Sequence, residues 1–347
     1  MTRQNGPVML REPYAPNQND MRVLVTGGAG YIGSHAARAL SKHGHSVVIL
    51  DNLSSGLRAF AEGFPLVVAD LGNPKELPNV LSEVDAVMHF AAHAYVGESV
   101  ENPRKYFDNN VRGGLALLNA MLDAHVGNIV FSSTCALYGI PNVVPIGEDT
   151  VRNPINPYGT SKLFLEKALE AYSVAYGMRS VSLRYFNAAG ADDSGEIGEA
   201  HDPETHLIPR VLLAAAGKLD HLEIFGSDYP TPDGTCIRDY VHVSDLAEAH
   251  VLALEYLEGG GLSTALNLGT GTGHSNLEVV RMVEKITGKR VPLRMVPRRA
   301  GDPPVLVADP AKAKQVLGWT ASRSLSDIVS SAWKWMQSSS SRNVVPK

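Results

Sequence analysis

An α/β fold, a doubly wound parallel sheet followed by a smaller α+β C-terminal domain, is predicted by three observations. The strand-like segments are short continuous apolar runs, as expected where both faces of a sheet are covered. Helix-length stretches separate them, and right-handed crossovers turn such an alternation into one parallel sheet. The first run ends in TGGAGYIGSH, a glycine-rich turn that opens a helix.

The elements follow in order. MRVLVT from Met21 is a strand, and the turn after it leads to a helix from about Ile32 to His43. VVILD (Val47–Asp51), LVVAD (Leu66–Asp70) and DAVMHF (Asp85–Phe90) are the next strands. A long helical stretch from about Pro103 to His125 leads to NIVFSS (Asn128–Ser133). Beyond a proline-rich loop, Tyr158–Tyr176 reads as a helix and SVSLRYF (Ser180–Phe186) as a strand. After Asn187 the regularity weakens to an acidic, glycine-rich loop (Ala191–Glu204), a helix near Ile208–Lys218 and a late strand, ALNLGTG (Ala265–Gly271), that returns to the sheet. The division is therefore a flexible tail at 1–20, a Rossmann-type domain at 21–187 joined by the strand near 265–271, an interleaved second domain at 188–335, and a frayed tail at 336–347.

Composition narrows the function. The chain has 347 residues, 44% hydrophobic and 19% charged, the make-up of a globular protein with a real core. A formal net charge of −5 without a basic run argues against nucleic acid or an anionic membrane as partner. No apolar run approaches the roughly 18 residues of a membrane span. The first twenty residues lack the apolar core of a secretory signal, and the two cysteines, Cys135 and Cys236, cannot make a disulfide framework. A cytoplasmic protein is expected.

Gly27, Gly30 and Gly33 recur at three-residue steps between a strand and a helix. Such a turn lets the backbone approach a pyrophosphate, which the helix N-terminus then holds with N–H donors and positive dipole. Asp51 ends the second strand, where an acid bonds adenosine ribose hydroxyls and repels a 2′-phosphate; with no Arg directly after it, NAD is favoured over NADP. Asp70, ending the third strand, can accept from the adenine amino group or simply shape a turn.

PYGTSK sets Tyr158 and Lys162 on one face of a helix. A phenol titrating near ~10 is a poor base at neutral pH, and a nearby ammonium together with an oxidised nicotinamide would favour the phenolate. FSSTCALYG closes a strand just upstream and offers Thr134 as a hydroxyl partner at the carboxyl end of the sheet. Hydroxyl, phenol and ammonium beside NAD fit reversible oxidation of a secondary alcohol.

From about Met21 to Trp333 the chain resembles the extended short-chain dehydrogenase/reductase family, and within it the branch of UDP-glucose 4-epimerases. The motifs that carry the resemblance are TGGAGYIGSH, DNLS, HFAAHAYVGES, YFDNNVRG, FSSTCALYG, INPYGTSK, LRYFNAAGA, GEAHDPETHLIP, IFGSDYPTPDGTCIRDYVHV, LNLGTG and PRRAGDPPVLVADPAKA. The resemblance implies that Tyr158 is the general base and acid, Lys162 its partner and holder of the nicotinamide ribose, and Thr134 the assisting hydroxyl. It places Tyr31, Ile32, Asp51, Asn52, Asp70, Leu71, Phe90, Ala91 and Asn109 against NAD, with Phe186 by the nicotinamide. It places Asn187, Leu207, Phe225, Arg238, Arg299 and Asp302 around UDP, where two arginines suit a diphosphate and Phe225 suits uracil. It also implies a homodimer through the Pro103–His125 and Tyr158–Tyr176 helices.

Two positions depart from the pattern. Ala94, preceded by His93, stands where some relatives have a Lys that touches the cofactor phosphates. Leu306 stands where some carry a bulky Tyr and others a small residue, which leaves N-acetylated sugars open. The activity implied is interconversion of UDP-galactose and UDP-glucose through a 4-keto sugar. Epimerases of UDP-N-acetylhexosamines or of UDP-xylose and UDP-arabinose share nearly the same motifs. A 4,6-dehydratase would need an acidic pair where Cys135 and Ala136 follow Thr134, and a non-catalytic redox-sensing NAD module would not need Tyr158, Lys162 and Thr134 together. His201 and His206 flank DPET and His242 precedes Asp245, but in the sequence none forms a tight ligand set, and no metal is expected.

Overall fold

The computed structural model describes residues 20–299 and 301–338. The predicted tail at 1–20 falls, but for Asp20, outside the described residues, as does 339–347 of the C-terminal one. The strands are β1 (Arg22–Thr26), β2 (Ser46–Asp51), β3 (Leu66–Val68), β4 (Ala86–His89), β5 (Asn128–Thr134), β6 (Arg179–Tyr185), β7 (Asn187–Ala189), β8 (Leu222–Phe225), β9 (Ile237–His242), β10 (Thr264–Leu268), β11 (Gly273–Ser275), β12 (Leu293–Val296) and β13 (Val305–Leu306). The α-helices are α1 (Tyr31–Lys42), α2 (Leu77–Leu81), α3 (Val96–Glu101), α4 (Pro103–Tyr106), α5 (Gly113–Asp123), α6 (Pro157–Tyr176), α7 (Leu207–Ala215), α8 (Val243–Glu258), α9 (Asn276–Thr287), α10 (Ala311–Leu317) and α11 (Leu325–Gln337).

Seven strands form one parallel sheet in the order β10-β6-β5-β4-β1-β2-β3. The apolar runs make it so. In β1 every residue after Arg22 is buried, and one face packs against α1 and α8 while the other packs against α2, α5 and α6. Strand order reverses at β1, which lies between β2 and β4, and ligands of open α/β sheets bind in the crevice beyond the strand ends at such a point. β10 pairs with β6 at the sheet edge, so a segment distant in sequence completes the main sheet.

The remaining strands make two small sheets, β11-β9-β13 with β7 beside β9, and β12-β8. Their core gathers Ile208, Val211 and Leu212 of α7, Val279 and Val283 of α9, and Ile328 and Val329 of α11. α11 extends to Gln337 because Ser324 and Asp327 form a capping box at its start and Trp335 is buried near its end.

The long helix expected at Pro103–His125 is interrupted. Phe107–Arg112 is wound as a π-helix between α4 and α5. Apolar periodicity does not register one wider turn, and such turns recur at functional sites. Among the described residues no helix is long and apolar enough to cross a membrane.

Candidate active site

The turn after β1 is held open for a ligand by the absence of side chains. Gly27 has φ +72, and a Cβ on it would lie 2.5 Å from the Ala91 nitrogen after β4. A Cβ on Gly33 would meet the Gly27 carbonyl oxygen at 2.2 Å, so the helix packs against the turn only with glycine there. Gly30 is the N-cap of α1 without a side-chain cap, and the first turn carries no acid. Its N–H donors and the positive helix end suit an anion.

Beside this turn lies a cleft lined by Gly27, Gly30, Asp51, Asn52, Phe90 and Asn109, among others. The Asp51 carboxylate accepts from the Ala29 N–H at 3.0 Å and the Leu53 N–H at 2.8 Å, and burial raises its pKa. Each oxygen thus keeps a lone pair for a ribose hydroxyl. The glycine cradle, the bare helix start and the acid at the end of β2 together fit NAD.

The cofactor residues named from sequence divide into two groups. Leu71 and Ala91 also line the cleft. Tyr31, Ile32 and Asp70 stand beside it. The Tyr31 hydroxyl donates to the Gly190 carbonyl at 2.6 Å, which ties α1 to the loop after β7, while Ile32 packs into the main core. Asp70 accepts from Gly72 N and from Asn52 Nδ2, each at 2.7 Å, and shapes its turn. Phe186 is buried with Leu137, Tyr138, Ile146 and Ala308.

Asn110 went unnoticed in the sequence. Its side chain accepts from His93 N at 2.9 Å and donates to His93 O and Ser161 Oγ, both at 3.0 Å. It thereby fastens the loop after β4 to α6. The π-turn turns adjacent residues to different tasks, since Asn109 lines the cleft while Asn110 is buried. Ser54, Ser55 and Gly56 of the DNLSSG run line the cleft as well.

Tyr158 and Lys162 sit in the first two turns of α6, whose start is fixed by Asn156 accepting from Gly159 N at 2.8 Å and by Pro157 at the first helical position. Thr134 ends β5, its side chain accepts from Ala136 N at 3.1 Å, and its hydroxyl lies near enough to Tyr158 to favour the phenolate. The Lys162 ammonium donates to the Ser132 carbonyl at 2.7 Å and lies 5.0 Å from the centre of the Phe131 ring. Burial lowers Lys162 to about 7. Burial pushes Tyr158 up to about 12, against the opposing effect of the Thr134 hydroxyl. The expected lowering of the phenol by Lys162 is therefore not supplied by the protein alone, because burial dominates at Tyr158 and the ammonium is turned to the Ser132 carbonyl.

Of the residues named for UDP the structure joins two pairs, Arg299 with Phe225 and Arg238 with Asp302. Arg299 stacks on Phe225, with its guanidinium carbon 3.9 Å from the ring centre. Arg238 on β9 donates to Asp302 at 2.5 Å and to the Ile237 carbonyl at 2.7 Å. Asn187 on β7 donates to the Asp239 carbonyl at 3.0 Å, and Leu207 is the first residue of α7. Leu306 pairs with Arg238 across β13 and β9 and packs against the Phe186 cluster.

The reading that the histidines form no tight set is corrected by the structure. Glu199, His201, Glu204 and His206 bring one ligand atom each within 4.8 Å of one another. Burial would raise the Glu199 carboxyl, but His206 and His201 beside it hold it low; burial would lower His206, but Glu199 and Glu204 hold it high. EAHDPETH puts two glutamates and two histidines on one loop, a spacing that is uninformative until the loop closes.

Comparison with known proteins agrees with this geometry. Residues 23–269 match the family described as "NAD dependent epimerase/dehydratase family". A UDP-glucose 4-epimerase of Lactobacillus helveticus is 50% identical over 322 residues, covering 92% of this chain and 98% of its own. The crystal structure of UDP-glucose 4-epimerase from Brucella ovis in complex with NAD superposes with a TM-score of 0.88 at 53% identity, covering 90% of this chain and 97% of the other. That of UDP-glucose-4-epimerase from Stenotrophomonas maltophila, with bound NAD and formylated UDP-arabinopyranose, gives 0.89 at 45% identity, covering 91% and 98%. The chain belongs to the NAD dependent epimerase/dehydratase family, and within it to the UDP-glucose 4-epimerases.

Proposed function

We infer that this protein is an NAD-dependent UDP-hexose 4-epimerase that interconverts UDP-galactose and UDP-glucose. The observation that carries the reading is the placement of Tyr158 and Lys162 in the first two turns of α6 beside Thr134 at the carboxyl end of β5, in a sheet whose switch-point cleft fits NAD. NAD when bound supplies the hydride acceptor and a positive ring that stabilises a nearby phenolate. Tyr158 takes the proton of the sugar 4-hydroxyl, and Thr134 holds the same oxygen in line. Lys162, anchored on Ser132 O, keeps a cation beside the reacting groups and a donor for the nicotinamide ribose. Arg299, Phe225, Arg238, Asp302, Asn187 and Leu207 grip UDP, so the 4-keto sugar turns about its diphosphate link while the nucleotide stays fixed. Tyr158 would return the proton to the same sugar oxygen once the opposite face of the 4-keto sugar is presented.

Purified chain given UDP-galactose should form UDP-glucose to a constant ratio, with no net NADH. Absence of conversion with NAD added would sink the reading. Conversion of only UDP-N-acetylhexosamines or UDP-pentoses would keep the mechanism and move the substrate. The same reading makes the protein a cytoplasmic homodimer, supported by Phe107 and Phe164, exposed apolar residues in the two helical stretches expected at the interface. Light scattering tests it, and a monomer mass would remove it.

A further inference from the structure

We propose that Glu199, His201, Glu204 and His206 form a binding site for one divalent transition-metal ion of the zinc type, which pins the loop leading into α7. The site stands apart from the hydride chemistry, and nothing in the epimerase reading calls for it.

The donor atoms already converge. Glu199 Oε1 is 2.7 Å from His206 Nδ1 and 3.1 Å from His201 Nδ1. Glu204 offers Oε1 at 3.0 Å from His206 Nδ1 and Oε2 at 3.9 Å from His201 Nδ1. Zinc takes nitrogen and oxygen ligands at about 2.0–2.2 Å in a tetrahedron, which puts neighbouring ligand atoms roughly 3.3–3.6 Å apart. Three of these separations fall below that value and one above it, and the four ligand atoms all lie within 4.8 Å of one another, so small side-chain rotations that spread the close contacts would admit an ion. Two imidazoles and two carboxylates saturate a four-coordinate structural site, and the charges of the carboxylates match a divalent ion.

The loop that carries these ligands is anchored as well. Trp335 Nε1 of α11 donates to the Glu199 carbonyl at 3.0 Å. Arg210 of α7 donates to the Glu204 carbonyl at 3.2 Å. Tyr95 packs its ring edge-on against His201, with centroids 5.7 Å apart, and also lies beside His206 at 6.3 Å. Tyr31, at the start of α1, meets His201 edge-on at 6.2 Å. Ring orientation is thus set from both the cofactor side and the second domain. Glu199 is nearly buried, with its side chain 6% exposed, and such a charge is tolerated inside a protein when paired or when it coordinates a metal. An ion here would fix where α7 begins and hence where Leu207, its first residue, stands.

The test uses the full chain purified without a histidine tag, stripped with EDTA and returned to metal-free buffer. Zinc is titrated in competition with a chromogenic chelator, and cobalt(II) in parallel by visible absorption. The expected result is saturation near one equivalent, an intense tetrahedral cobalt spectrum, and a loss of affinity of at least about 10–100-fold in His201→Gln and in Glu204→Gln. No saturable binding by the unmutated chain would overturn the proposal and leave a hydrogen-bonded ion cluster only. Equal affinity in both variants would overturn it as well, since the metal would then lie elsewhere. Should one variant fail to fold, the affinity of the other still tests the location, and His206→Gln replaces the lost one.

Discussion

The Lys162 ammonium is bonded to the Ser132 carbonyl oxygen at 2.7 Å, which tethers α6 to the carboxyl end of β5. That bond holds a cation where water cannot reach it, so its charge is conditional on pH.

Burial lowers Lys162 from 10.5 to about 7. Between those values the unfolded chain keeps a proton that the folded chain has released, and stability from this group rises with pH across that window. Below about pH 7 the full cost of burying the ammonium is present. Lys162→Met removes that cost, so its stability relative to the unmutated chain should be most favourable at pH 6 and decline steadily toward pH 10. Urea midpoints at four pH values measure this. A difference that does not change with pH would show that Lys162 has an ordinary pKa in the fold.

Tyr158→Phe removes the only oxygen the side chain brings to the reacting hydroxyl while keeping the ring against Tyr106, whose centroid is 6.5 Å away. Loss of a positioned acid/base group costs about 10²–10⁴ in rate. Turnover of UDP-galactose should fall at least that far, with UDP affinity by calorimetry unchanged within twofold. Near-normal turnover would assign the proton transfer to another residue.

Gly27→Ala should lose cofactor before it loses the fold. The added methyl meets the Ala91 nitrogen at 2.5 Å from a left-handed φ of +72, and both residues line the cleft. Retention of NAD, read from absorbance of the denatured protein's supernatant, should drop sharply while far-ultraviolet circular dichroism stays near native. Full retention would mean that the turn can move aside without affecting the ligand.

The legibility of the chain differs by the distance over which each feature is encoded. β1 to β6 could be read because each is a local apolar run, and Gly27, Gly33 and Asp51 because strand ends and turns carry their own signal. Asn110 could not, because its value depends on His93 and Ser161, which reach it only through the fold. Glu199 was missed for a related reason: its partners lie within a few residues, but only the loop's path, anchored by Trp335 far along the chain, turns them inward. Tyr158 was found by spacing, whereas its raised pKa came from burial that spacing does not encode.

The ends of β5 and β6 are braced by a buried ion pair whose removal makes the last prediction. Arg184 donates to Glu166 through Nε at 2.9 Å and a terminal nitrogen at 2.6 Å, and both side chains are nearly inaccessible. Ser133 Oγ also donates to Glu166 at 2.6 Å, and Arg184 reaches the Tyr138 hydroxyl at 2.9 Å, which in turn donates to Asn267 at 2.7 Å. The network thus links β5, α6, β6 and β10 directly beneath Thr134. Removing one member strands a charge, which costs about 3–5 kcal/mol, whereas replacing both with apolar groups is often neutral. Arg184→Met should therefore destabilise strongly, and Arg184→Met with Glu166→Leu should recover most of the loss. Urea unfolding of the two single variants and the double variant measures the coupling. Additive losses would mean that Arg152, 3.4 Å from Glu166, already neutralises the carboxylate when Arg184 is gone.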